Sequence, residues 1–122
     1  MIKGIVTFFK EVIAVAFGLA GFAFGGFDSL IFALIVVMVL DYLTGMALSV
    51  KLKKISSTVG FAGICRKGLS FVIIAAGNII DKYVFGSGTA VRTAFITFYI
   101  SNECISIVEN LGGLDVPLPG KV

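Results

Sequence analysis

The stretch from Leu30 to Val50 runs for 21 residues with a single charge, Asp41, near its middle. As a helix it would cover roughly 30 Å, about one hydrocarbon thickness of a bilayer. A soluble protein would have to bury such a segment on every side. With 58% of the 122 residues hydrophobic and only 14% charged, too little polar chain remains to do so. The sequence therefore predicts an all-α integral membrane protein, one transmembrane domain over residues 1–122, whose backbone polar groups are satisfied within helices.

Three other apolar stretches flank this one. The first, from about Phe8 to Phe27, carries Ala14, Gly18, Gly21 and Gly25, small residues that let helices approach closely in lipid. Its GFAFGGF end is rich enough in glycine to weaken a helix, so four spans arranged as two hairpins are expected, with three spans plus an interfacial helix as the alternative. Lys3 and Lys10 before this stretch resemble the start of a signal peptide. Glu11 interrupts the run and argues against cleavage. Asp28 or Ser29 is placed to cap the second helix. The third span is expected over Leu69 to Phe85, the fourth from Ala90 to about Asn110, with a tight turn at Gly86 to Thr89 between them. From Gly112 the tail GGLDVPLPGKV cannot continue a helix and is read as a short exposed end, 112–122.

Between the second and third spans lies a basic connector, 51–67, holding Lys51, Lys53, Lys54, Arg66 and Lys67, half of the ten basic residues. Short positive loops stay in the cytoplasm, so both chain ends are expected there as well. That orientation puts Lys3, Lys10, the connector and Lys121 inside and leaves Lys82 and Arg92 near the outer turn. Gly60 and Gly63 predict a turn or interfacial segment within the connector. The same charges suit contact with anionic lipid headgroups.

Asp41 and Glu103 carry the most information. An Asp in the centre of a span costs at least ~2.5 kcal/mol, so each carboxylate must be protonated, paired or facing water. Counting from Val50 and Asn110 sets the two at similar depth, where they could share a site. Asp41, Thr44, Gly45 and Ser49 form a stripe on the second span, with Gly45 permitting a close crossing. Lys67, Ser70, Ile74, Asn78 and Asp81 fall on one side of the third. Arg92, Tyr99, Glu103, Ser106 and Asn110 line the fourth. Either these stripes face one another in a monomer, bonding through Thr44, Asn78, Asn102 or Ser106, or they line water in an oligomer.

No catalytic set accompanies them. The chain has no histidine, Ser56 and Ser57 have no base, and Cys65 and Cys104 read as small packing residues. No metal ligand set, cofactor fingerprint or nucleic-acid patch is expected, because the basic residues are confined to segment ends and the connector.

DYLTG at 41–45, ISSTVGFAGICRK at 55–67, Asp81 after the third apolar run, FYISNECISIVENLG at 98–112 and VPLP at 116–119 together resemble the phage lysis and toxin-secretion holins of Gram-positive bacteria and their phages. The resemblance spans roughly residues 30 to 120 and leaves residues 1–28 to hydropathy alone. It implies a non-enzymatic protein of the bacterial cytoplasmic membrane that forms homo-oligomeric lesions through which an endolysin or a toxin leaves the cell. Its recurring polar positions would correspond to Asp41, Thr44, Gly45, Gly63, Arg66, Lys67, Asn102, Glu103, Ser106, Glu109 and Asn110. Of these, Asp41, Thr44, Gly45, Asn102, Glu103, Ser106, Glu109 and Asn110, together with Asn78, Asp81 and Arg92 from the polar stripes, are the candidates for oligomer contacts or lesion lining, while Arg66 and Lys67 belong with the topology and lipid-contact residues of the connector. Two other readings fit the residues themselves: a small ion channel or transporter subunit using Asp41 and Glu103, and a membrane scaffold docking through the connector.

Overall fold

The computed structural model describes residues 1–119, so Lys121 and its expected cytoplasmic position lie outside the described residues. Four long helices follow one another: α1 (Ile2–Phe24), α2 (Ser29–Leu52), α3 (Ser57–Ile79) and α4 (Ala90–Gly113). A π-helical turn, Ile80–Val84, continues α3. By length and composition α1, α2 and α3 with its π turn can each cross a membrane. α4 is 24 residues long but is diluted by its polar stripe.

The helix ends follow local chemistry. The Asp28 carboxylate accepts the Ile31 amide at 3.1 Å and starts α2, as expected. Gly25 ends α1 in the left-handed region, φ 83°, where glycine has no Cβ to strain. The glycine-rich segment therefore terminates α1 instead of weakening it, and the helix begins at Ile2, earlier than the expected Phe8.

The connector differs most from expectation. α3 begins at Ser57, capped by the Ser56 hydroxyl on the Val59 amide at 3.3 Å, and runs unbroken through Gly60 and Gly63. A helical glycine costs ~1 kcal/mol against alanine, whereas an unpaired backbone group in apolar surroundings costs several. Only Lys51, Lys53 and Lys54 remain at the α2–α3 junction; Arg66 and Lys67 ride on α3, roughly 15 Å from its start. α4 likewise continues through Gly112 to Gly113 before the tail departs. There Lys51 Nζ donates to the Gly113 carbonyl at 2.8 Å and pairs with Asp115 at 2.5 Å, holding that exposed carboxyl below the usual range.

α2 and α4 run parallel in constant register, because Asp28 pairs with Arg92 and Asp41 with Ser106 and Asn110, partners 64 to 69 residues apart. α3 lies antiparallel to both. Between the helices sits a small apolar layer of Ile31, Leu34, Met38, Ile74 and Ile96. α3 and α4 cross closely at Gly77, where a Cβ would stand 2.7 Å from the Phe95 ring and 3.3 Å from the Arg92 Cα. Most large apolar side chains, Phe32, Val39, Leu43 and Val72 among them, point outward. The accessible surface of 8508 Å² exceeds the roughly 6,300 Å² expected for a compact soluble chain of this mass. In lipid that exterior faces acyl chains and needs no cover.

α1 contributes to the excess. It has no buried residue and touches α3 but neither α2 nor α4 by helix packing. Side chains from the other helices hold its last turn. Asn78 Nδ2 donates to the carbonyls of Phe22 (3.3 Å) and Ala23 (3.0 Å), while Arg92 donates to those of Phe24 and Gly26 and to the Asp28 carboxylate at 2.8 and 3.1 Å. Asp81, carried by the π turn, accepts the amides of Val91 (3.0 Å) and Arg92 (2.9 Å) and so caps α4 from outside it. Among the described residues no buried side-chain polar atom lacks a partner.

Removing Arg92, only 2% exposed, leaves Asp28 and the end of α1 without their donor. Arg92→Leu is expected to cost about 3 kcal/mol in denaturant titration of the detergent-solubilised protein and to expose the Gly25–Phe27 amides to hydrogen exchange. Arg92 holds the Asp28 carboxyl below its ordinary value, so this support is present above pH ~4 and is lost as pH falls through the lowered folded pKa. Protection at Gly25 and Gly26, taken relative to intrinsic exchange at each pH, should therefore fall at acid pH in the native chain and lose that pH dependence in Asp28→Asn.

Candidate functional site

Across the apolar layer from Arg92, roughly 20 Å along α2, lies a second polar group. Asp41 projects from α2, Lys67 from α3, and Glu103, Ser106 and Asn110 from three successive turns of α4. Lys67 Nζ pairs with Asp41 Oδ2 at 2.6 Å and with both Glu103 oxygens at 3.0 and 2.8 Å. Asp41 Oδ1 accepts from Ser106 Oγ at 2.5 Å and Asn110 Nδ2 at 3.0 Å. Asn110 Nδ2 also reaches the Asp41 carbonyl (3.2 Å) and Thr44 Oγ1 (3.0 Å), and the Thr44 hydroxyl donates back to the Leu40 carbonyl at 2.8 Å.

The two carboxylates thus share a site, as their inferred depth suggested, and the lysine between them makes that possible. With all three groups ionised the cluster keeps one unbalanced negative charge. Its side chains are only 13% (Asp41, Glu103) and 20% (Lys67) exposed. That residual contact is with an open cavity of ≈540 Å³ between α2, α3 and α4 on the side of the α2–α3 junction, whose wall also includes Ser49, Ser70 and Asn102. The charges therefore border a space lined by polar as well as apolar side chains.

The expected residues divide between the two ends. Thr44, Glu103, Ser106 and Asn110 gather around Asp41, while Asn78, Asp81 and Arg92 belong to the group that holds α1 and α4. Asn102 lines the cavity without a side-chain hydrogen bond among the described residues, and Glu109 is exposed. Gly45 faces Asn110 at ordinary contact distance, 3.5 Å from a built Cβ, and is not the point of closest helix approach. Cys65 and Cys104, read as packing residues, are free thiols on the exposed side of their helices. Lys67, expected in the basic connector, is instead the bridge. Its place at the head of the Lys67, Ser70, Ile74, Asn78, Asp81 stripe was the signal for that role. Asp28 was expected only as a cap, and its pairing with Arg92 had no local signature. Among the described residues no cluster of histidine, cysteine, aspartate and glutamate is arranged to hold a metal ion.

A family model described as the bacteriophage holin family matches residues 18–122. An uncharacterized 14.9 kDa protein from the nagH 3′ region of Clostridium perfringens is 36% identical over 120 residues, covering 98% of this chain and 91% of that protein. An uncharacterized protein of Listeria monocytogenes is 36% identical over 99 residues, 81% of this chain and 70% of its own. A probable holin of Bacillus phage phi105 is 34% identical over 89 residues, 73% of this chain and 65% of that protein. No solved structure matches. The family match takes in α2, α3, α4 and the end of α1, and with them both polar groups: this chain belongs to the bacteriophage holin family.

Proposed function

We propose that this protein accumulates in the bacterial cytoplasmic membrane with both ends inside, then assembles with further copies into lesions that release an endolysin or a toxin. Family membership supports the holin role. The observation that carries the rest is the Asp41–Lys67–Glu103 cluster, a charged interior within an apolar-faced bundle. While its partners lie within one chain, the charges of the cluster are paired inside the bundle and the monomer can accumulate. Once several copies meet, the same groups can be satisfied by water, so helix faces that were internal become the lining of an aqueous lesion. Lys51, Lys53 and Lys54 at the α2–α3 junction favour a cytoplasmic position for that end. Induced alone in a bacterium, the protein should abolish the membrane potential after a lag, and with a co-expressed cytoplasmic wall hydrolase it should cause lysis. Accumulation without either effect would favour the scaffold or a gated transporter.

The unbalanced charge gives the variants a direction. Glu103→Gln removes the unbalanced charge while its amide oxygen can still accept from Lys67, so the three-helix tie is kept with less repulsion and depolarisation is delayed. Asp41→Asn removes the acceptor shared by Lys67, Ser106 and Asn110, weakening the closed form by about 1.5–3 kcal/mol per charge-assisted bond, and onset comes earlier. Potential-sensitive dye traces at matched protein levels would read both. Two variants on the parental schedule would reduce the cluster to a structural contact.

A further inference from the structure

The α2–α3 contact is sparse compared with α2–α4, and the space left between the two helices has two chemically different parts. Toward the junction is the cavity of ≈540 Å³, which mixes polar and charged with apolar side chains and is within the size range of small-ligand sites. Farther along α2 is an apolar groove of ≈290 Å³ walled by Ile35, Met38, Val39, Ile64 and Phe71. Tyr42 and Lys67 stand in the walls of both. The groove residues lie earlier on α2 and later on α3 than most of the cavity residues, so the groove runs from the cavity toward the apolar layer.

The charge in the cavity is also divided. Lys67 is consumed by Asp41 and Glu103. Lys54, next to the start of α3, and Arg66, farther along that helix, line the same space with no ion pair or hydrogen bond from their side chains among the described residues. These are two free cations at the polar mouth of a slot whose far part is apolar. An anionic amphiphile fits that order, with its phosphate at Lys54 and Arg66 and its chain along Ile35, Val39 and Phe71.

We propose that one anionic phospholipid molecule occupies the α2–α3 slot, its headgroup phosphate held by Lys54 and Arg66 and one acyl chain lying in the groove. The lipid would reinforce an α2–α3 contact that is otherwise sparse. This goes beyond lesion formation and is tested without it.

The full chain, reconstituted in vesicles of equal parts phosphatidylglycerol and phosphatidylcholine and extracted into mild detergent, is read by native mass spectrometry. Retention of about one phosphatidylglycerol per protein, with little phosphatidylcholine, is expected. Lys54→Gln with Arg66→Gln should lower retention at least about fivefold, equivalent to ~1 kcal/mol. Gly63→Leu fills the cavity from a position where a Cβ meets nothing within 4 Å, so it preserves the helix and should lower retention as much with both cations intact. Two results would overturn the site. One is retention that falls in the charge variant but not in Gly63→Leu, which marks diffuse attraction of anionic lipid. The other is inorganic phosphate raising thermal stability as far as phosphatidylglycerol does while no lipid is retained, which marks a free-phosphate site.

Discussion

The structure depends on Lys67 standing between Asp41 and Glu103. Two carboxylates from α2 and α4 at one level of a membrane bundle repel each other and are costly to desolvate. A single ammonium from α3 within 3.0 Å of both converts that repulsion into a three-helix tie. Ser106 and Asn110 complete the coordination of Asp41, so α4 is bound to α2 by side chains on two successive turns. In lipid there is little hydrophobic force between helices, and such polar ties with close packing take its place.

A second tie stands at the opposite end, where Arg92 gathers Asp28 and the last carbonyls of α1, and Asp81 caps α4. The apolar layer of Ile31, Leu34, Met38, Ile74 and Ile96 is enclosed between the two. The two ends differ in their openness. Arg92 and Asp81 are almost fully buried, whereas the Lys67 cluster borders a cavity. The Arg92 end is thus suited to hold the turn between α1 and α2, while the Lys67 end is open to its surroundings.

Much of this was legible in the residues. The spacing of Ser70, Ile74, Asn78 and Asp81 marked the buried side of α3, and all four are buried. Equal depth placed Asp41 with Glu103. What escaped had physical causes. Gly60 and Gly63 weigh against a helix in water, but the need to pair backbone groups in an apolar setting outweighs their propensity. That shift moved Lys67 from a loop into the bundle. The pairing of Asp28 with Arg92 depends on the parallel register of α2 and α4, which no local pattern encodes, and the π turn that aims Asp81 leaves no compositional trace. α1 is a hydrophobic helix in sequence, yet only its last turn is engaged.

The central claim is that groups closed within one chain become water-exposed when lesions form. Ser70 is the most direct reporter: it is 6% exposed, lies in the cavity wall, and its hydroxyl bonds only to the Lys67 carbonyl, so Ser70→Cys disturbs the cluster least. With Cys65 and Cys104 replaced by alanine, a membrane-impermeant thiol reagent added outside intact cells should leave this cysteine unlabelled before the potential falls and label it afterwards. Equal labelling before and after would contradict the account, as would depolarisation with the cysteine still protected.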